Sequence, residues 1–157
     1  MIFHKLAPLH DGFVSASKLS IEFSEGALDG FTELGPNDPM TLQVSATHGQ
    51  ALENLRRYDD AALVLGSTVA GFSELLPDKH PRTISAIGKL ASVLTLAKEF
   101  DSAIELYQKQ IKLRTEVLGA EHPTTMMAEA NVGSCLYKSG SVAEGERYHG
   151  CRTRPIQ

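Results

Sequence analysis

Apolar positions along the chain recur at helical spacing. From residue 82 onward they are Ile84, Ile87, Leu90, Ala91, Leu94 and Ala97, and these three- and four-residue steps place them on one stripe of a helix. Glu99-Phe100-Asp101 then interrupts, with Asp101 placed to cap a second helix carrying Ala103, Tyr107, Ile111 and Leu118. The same pattern stands before it as Leu42, Ala46, Gly49 and Leu52, a break at Arg57-Tyr58-Asp59, then Ala61, Leu65, Val69 and Leu76. It stands after it as Met126, Ala130, Gly133 and Leu136, a break at Ser139-Gly140-Ser141, and a stub to about Tyr148. The spacing predicts helix starts near residues 40, 60, 82, 102 and 124, and turns near 57–60 and 99–102.

The pairs are joined by a segment written three times at an interval of 42 residues (Leu34, Leu76, Leu118). It reads Leu34-Gly35-Pro36-Asn37-Asp38-Pro39-Met40-Thr41, then Leu76-Pro77-Asp78-Lys79-His80-Pro81-Arg82-Thr83, then Leu118-Gly119-Ala120-Glu121-His122-Pro123-Thr124-Thr125. Leu-Gly ends a helix with glycine in the left-handed cap position. The later proline opens the next one, where its missing N–H is no loss. Asp38, His80 and His122 occupy the N-cap slot, Asp38 being the better cap by type. Small residues also keep register: Gly49, Ala91 and Gly133 on the first helix of each pair, Ala61, Ala103 and Gly145 on the second. The unit is two antiparallel helices that approach closely where they cross, and a fixed period of this length marks a stacked repeat array.

Composition narrows the reading further. At 157 residues, 42% hydrophobic and 22% charged, the chain is one domain's worth of globular material. With no Trp, its core is built from Leu, Ala, Ile and Val. A net charge of −4 gives no reason to expect nucleic acid or an anionic membrane as a partner. No apolar run approaches the ~20 residues of a membrane span, and the opening Met1-Ile2-Phe3-His4-Lys5-Leu6-Ala7-Pro8 lacks the apolar core of a secretory signal. Two cysteines, Cys135 and Cys151, form no disulfide framework, so a reduced cytoplasmic setting is expected.

The histidines carry no metal or catalytic pattern: His80 and His122 are linker residues, and His48 has Leu52 four positions on. There is no Cys-x-x-Cys, His-x-x-x-His or phosphate-binding glycine loop, so neither cofactor nor metal is expected. Asp59-Asp60 and Glu116 with Glu121 fall at helix starts or in linkers, where they meet the positive helix end or solvent. Cys135 reads as a small buried hydrophobe.

Leu113-Arg114-Thr115-Glu116-Val117-Leu118-Gly119-Ala120-Glu121-His122-Pro123-Thr124-Thr125 resembles the linker of tetratricopeptide repeats of the long, kinesin-light-chain-like type, and Asn131-Val132-Gly133 stands where that family often has Asn-Leu-Ala. The resemblance covers about residues 34–148. Pro77 in place of the cap glycine, Val142 in place of an aromatic and Gly145 in the small position depart from it. It implies an all-α, right-handed superhelical solenoid of about three antiparallel helix pairs. The expected partition is an N-terminal extension over 1–15, either an extended cap or a segment without fixed structure, a repeat domain over 16–148 and a tail over 149–157. Within the domain come a partial repeat 16–37, repeats 38–79 and 80–121, and a last one over 122–148. Leu19, Phe23, Ala27 and Phe31 form the expected stripe of the partial repeat.

In that family the first helix of each pair lines the concave surface. The positions carried over are Thr47, Gln50 and Asn54, then Lys89, Ser92 and Thr95, then Asn131, Ser134, Tyr137 and Lys138. Asn and Gln can hold both the N–H and the C=O of an extended peptide, and the two lysines favour an acidic or carboxylate-terminated segment. The expected function is a non-enzymatic module binding a peptide segment of a partner protein. The alternatives are the sensor or oligomerisation domain of a larger signalling protein, self-associating through its repeat ends, and, third, an enzyme with a small-molecule pocket on helical repeats.

Overall fold

The computed structural model describes residues 7–30 and 35–150. Over these residues the chain folds as seven helices with no strand: α1 (Ala7–Gly30), α2 (Pro39–Asn54), α3 (Tyr58–Leu75), α4 (Pro81–Leu96), α5 (Phe100–Leu118), α6 (Pro123–Lys138) and α7 (Val142–Gly150). The chain divides into two compact units, Met1–Leu75 and Leu76–Gln157. In the first, α1 packs on α2 and α2 on α3; in the second, α4 packs on α5, α5 on α6 and α6 on α7. Phe31, Leu34, Cys151 and the rest of the tail from residue 151 lie outside the described residues, as do residues 1–6.

The linker chemistry acts as its residues dictate. Pro39, Pro81 and Pro123 each occupy the first helical position. Asp38 Oδ1 accepts from the Met40 N–H at 2.8 Å, His80 Nδ1 from Arg82 N–H at 3.2 Å and His122 Nδ1 from Thr124 N–H at 3.3 Å. All three caps therefore work through a side-chain acceptor, histidine included. Gly35 and Gly119 have φ of 88° and 92°, the left-handed region that glycine enters at no steric cost. The third linker is tied further by Thr125, whose hydroxyl donates to Gly119 O at 3.0 Å, and by Arg114, whose guanidinium donates to Thr124 O. Burial holds the Arg114 guanidinium below its usual pKa.

The turns inside the first two pairs come earlier than expected, the third falls at Ser139-Gly140-Ser141 as expected, and Asp101 is not a cap. After α4 the Glu99 N–H reaches back to Leu94 O at 2.9 Å and the Lys98 N–H to Thr95 O at 3.3 Å. Those two bonds form the helix-ending motif that needs a left-handed residue, and Lys98 supplies it with φ of 68°. Arg56 (φ 61°) and Gly140 (φ 90°) do the same in the other copies, with the Arg57 N–H on Leu52 O and the Ser141 N–H on Leu136 O. The chain then re-enters helix at once, so Asp101 and Asp59 fall inside the first turn. There their charge meets the positive helix end.

The small-residue register is where the helices cross. Ala61, Ala91 and Ala103 are fully buried, and a Cβ at Gly49 would lie 2.6 Å from Leu65 Cγ. The glycine at 145, which departs from the resembled pattern, has the same cause. A Cβ there would stand 3.2 Å from Gly133 O and 3.3 Å from Tyr137 N, so α7 lies against the backbone of α6. Cys135 is a free, fully buried thiol within 3.7 Å of the Thr95 hydroxyl, as expected of a small core residue.

At the N-terminus α1 begins at Ala7, not near residue 16, and runs through Gly26 to Gly30. Its expected stripe is also corrected. Ser17, Ile21 and Ser24 are buried, while Leu19 and Phe23 are 54% and 78% exposed. The reason is polar: the Ser24 hydroxyl donates to Ile21 O at 2.9 Å and lies 2.7 Å from Nδ1 of the buried His48 on α2. That pair and the small serines set which face of α1 meets α2.

Candidate functional site: the outer face of α6 and a cleft behind it

α6 presents two faces with different chemistry. Successive residues of a helix are rotated by about 100°, so positions two apart differ by about 200°. Asn131, Ser134 and Lys138 form one row and Glu129, Val132 and Leu136 another, each two residues from its counterpart. The first row is exposed together with Tyr137, which is 66% accessible. Ser134, Tyr137 and Lys138 converge on a depression of about 410 Å³ that Gly145 and Glu146 of α7 complete.

The other carried-over residues divide between the units. Thr47 and Asn54 are exposed on α2, where the Thr47 hydroxyl donates to Gln43 O at 3.1 Å; Gln50 is half-buried and donates to Glu53. Thr47 also lines a depression of about 350 Å³ with Phe23 and Val44. In the second unit Lys89 and Ser92 are half-buried on α4. Thr95 is a correction: it is buried, and its hydroxyl donates to Ala91 O at 2.9 Å. Thr47, Gln50 and Asn54 step by three and then four residues and stay on one face, whereas 89, 92 and 95 step by three twice and rotate about 120° off it. The residue that keeps the face is Leu96, 36% exposed.

A feature that the sequence reading passed over lies on the second row. α5 gives Asp101, Ile104 and Gln108, α6 gives Glu129, Val132 and Leu136, and α7 gives Glu144 and Tyr148, to a cleft of about 680 Å³ that Ser139 and Ser141 close at the turn. Each helix contributes one stripe at three- and four-residue steps, the signal by which the cleft could have been found. Burial, and then the neighbouring Glu129 carboxylate, raise the Tyr148 phenol above its ordinary pKa of 10.0. Among the described residues no three His, Cys, Asp or Glu side chains are grouped to hold a metal ion. None of the described helices is long and apolar enough to cross a membrane.

Residues 82–149 match the tetratricopeptide repeat family. That stretch, from α4 into α7, carries the tetratricopeptide pattern. Two solved structures of a putative kinesin light chain with nearly identical TPR-like repeats, from Podosopora anserina, superpose with TM-scores of 0.77 and 0.76 at 17% identity. They cover 98% and 96% of this chain and 77% of theirs. BtubC (BKLC) from P. vanneervenii superposes with a TM-score of 0.71 at 15% identity, over 91% of this chain and 61% of that one. At such identities the likeness shows the fold, a tetratricopeptide solenoid of the kinesin-light-chain-like kind. In sequence, the chain is 27% identical over 101 residues to the secreted RxLR effector protein RXLR-C07 of Plasmopara halstedii, 64% of this chain. The match spans about a third of that protein's length, 31%.

Proposed function

We propose that this tetratricopeptide chain is a non-enzymatic interaction module that holds an extended segment of a partner protein on the first-helix face of its repeats. The observation that carries the reading is the convergence of Ser134, Tyr137 and Lys138 on one depression of α6 and α7. An exposed aromatic gives contact area at small entropic cost, and a hydroxyl and an ammonium beside it offer donors to peptide carbonyls or a carboxylate. Lys89 and Lys138 favour an acidic or carboxylate-terminated segment, and Asn131 adds a second donor and acceptor on the same face. Glu146 on the rim opposes too dense a negative charge. The fold supports the reading as well, since repeat arrays present surfaces that bind segments of other proteins.

The test is calorimetric titration with a short peptide ending in two glutamates. Lys89→Glu with Lys138→Glu should weaken binding and reverse its salt dependence while leaving the far-ultraviolet spectrum unchanged. Binding that survives the double substitution removes the face from consideration. A second reading, self-association through a repeat end, draws on Leu19 and Phe23, which stand exposed four residues apart on α1. Sedimentation at rising concentration separates the two: a monomer throughout favours the peptide module. A cytoplasmic setting belongs to the proposal because Cys135 is a free thiol; imaging of a fluorescent fusion in the native cell tests it against the secreted character of the Plasmopara halstedii protein.

A further inference from the structure

The cleft between α5, α6 and α7 is as large as sites that hold ligands, about 680 Å³. Its floor is aliphatic: Val132 is fully buried, and Ile104 and Leu136 are half-buried. Its walls carry the carboxylates of Asp101, Glu129 and Glu144, and no Lys or Arg among the described lining.

The other copies show which of these residues recur in register. One repeat earlier, the positions of Val132 and Leu136 are Leu90 and Leu94, so the floor is apolar in both copies. The positions of Glu129, Glu144 and Tyr148 are Ile87, Ser102 and Leu106, and Ile87 is fully buried. The first copy has Ser45, Asp60 and Val64 at those registers, and Asp59 stands one repeat before Asp101, so acidic residues recur at the two outer wall positions while Glu129 and Tyr148 are particular to the last copy. Carboxylates above a low-dielectric floor concentrate their field in the groove and draw a cation to it. They are not grouped to chelate a metal ion, so a positive charge carried on a side chain suits them. An aliphatic neighbour of that side chain suits the floor.

We propose that this cleft is a second docking site, taking a basic segment of a partner protein with an aliphatic side chain on Ile104, Val132 and Leu136 and an arginine or lysine facing Asp101 and Glu144. It lies about 200° around α6 from the Ser134–Tyr137–Lys138 face and prefers the opposite charge, so one module would hold two segments at once.

The probe is a blocked hexapeptide in which two arginines flank a pair of leucines, titrated into the full chain with isotopically labelled methyl groups. Shifts are expected at Ile104, Val132 and Leu136, fading as salt is raised. Exchanging the arginines for glutamates, or the leucines for serines, should remove them. Asp101→Asn with Glu144→Gln should raise Kd on the order of tenfold, the loss of two partly exposed charge pairs. Glu144→Gln alone, at an exposed position, should move Kd the same way and keeps the test valid if the double variant loses helicity. The proposal is overturned by the absence of methyl shifts at millimolar peptide in low salt, by equal binding of the glutamate peptide, by an unchanged Kd in the variants, or by shifts confined to the Ser134 and Tyr137 face.

Discussion

Gly88 on α4 faces Gln110 on α5 so closely that replacing it should change sign with its partner. A Cβ at residue 88 would lie 2.0 Å from Gln110 Nε2 and 2.8 Å from its Cδ. Gln110 is only 3% exposed, and its amide donates to Ile84 O at 3.0 Å. Gly88→Ala must therefore push a buried amide off its acceptor, which costs about 1–3 kcal/mol. The alanine regains about 1 kcal/mol of helix propensity over glycine. The net effect is a destabilisation of roughly 0–2 kcal/mol. In a Gln110→Ala background the amide is gone and only the propensity gain remains, so the same substitution should stabilise by up to about 1 kcal/mol. Urea unfolding of the four chains of this cycle, compared at constant m, measures the coupling directly. If Gly88→Ala destabilises equally in both backgrounds, the obstacle is backbone and not Gln110, and the reasoning fails.

Ala103 is fully buried at a helix crossing, so Ala103→Leu should cost about 1–3 kcal/mol by overpacking, whereas Lys109→Leu on the exposed side of the same helix should shift thermal unfolding little. Thr83 and Thr125 occupy the same linker register and are both fully buried, but only Thr125 has a hydroxyl partner, Gly119 O; Thr83 Oγ1 has none. Thr125→Val should cost about 1 kcal/mol, and Thr83→Val should be neutral or stabilising by about as much; equal losses in chemical denaturation would show that the hydroxyl at 83 is satisfied. The Tyr148 phenol has a raised pKa, so the folded state holds its proton longer than the unfolded one. The stability this gives is intact below the unfolded value of 10.0 and is lost as pH climbs through the folded value. Ultraviolet titration, taken as the difference from Tyr148→Phe, should place ionisation above 10.0, and Glu129→Gln should lower it part of the way because burial is the larger cause. An unchanged midpoint in Glu129→Gln removes the carboxylate from the account.

What the sequence disclosed and what it withheld divide along a physical line. Prolines and cap residues act through their own covalent geometry, so Pro39, Pro81 and Pro123 announced the helix starts and each proved to sit at the first position of a helix. The turns within the pairs depend on a left-handed residue, and in two copies that residue is Arg56 or Lys98, neither of which advertises such a backbone. Only Gly140 in the third copy does, where the turn falls as expected, and laying the copies in register would have moved the other two to match it. The face of α1 was hidden for another reason. Leu19 and Phe23 are the more hydrophobic stripe, but the Ser24–His48 hydrogen bond, made to another helix, decides which side is buried. Thr95 was a matter of counting: the carried-over row needed a four-residue step to stay on its face, and Leu96 supplies it. The cleft was legible in the same way, since Glu129 in the place of Ile87 is a departure internal to the chain. A repeat protein thus contains its own control. Where two copies agree, the shared residue serves the packing that both must achieve. Where they differ, as at Ser45, Ile87 and Glu129, packing does not dictate one residue, and the surrounding chemistry must be asked what each side chain faces.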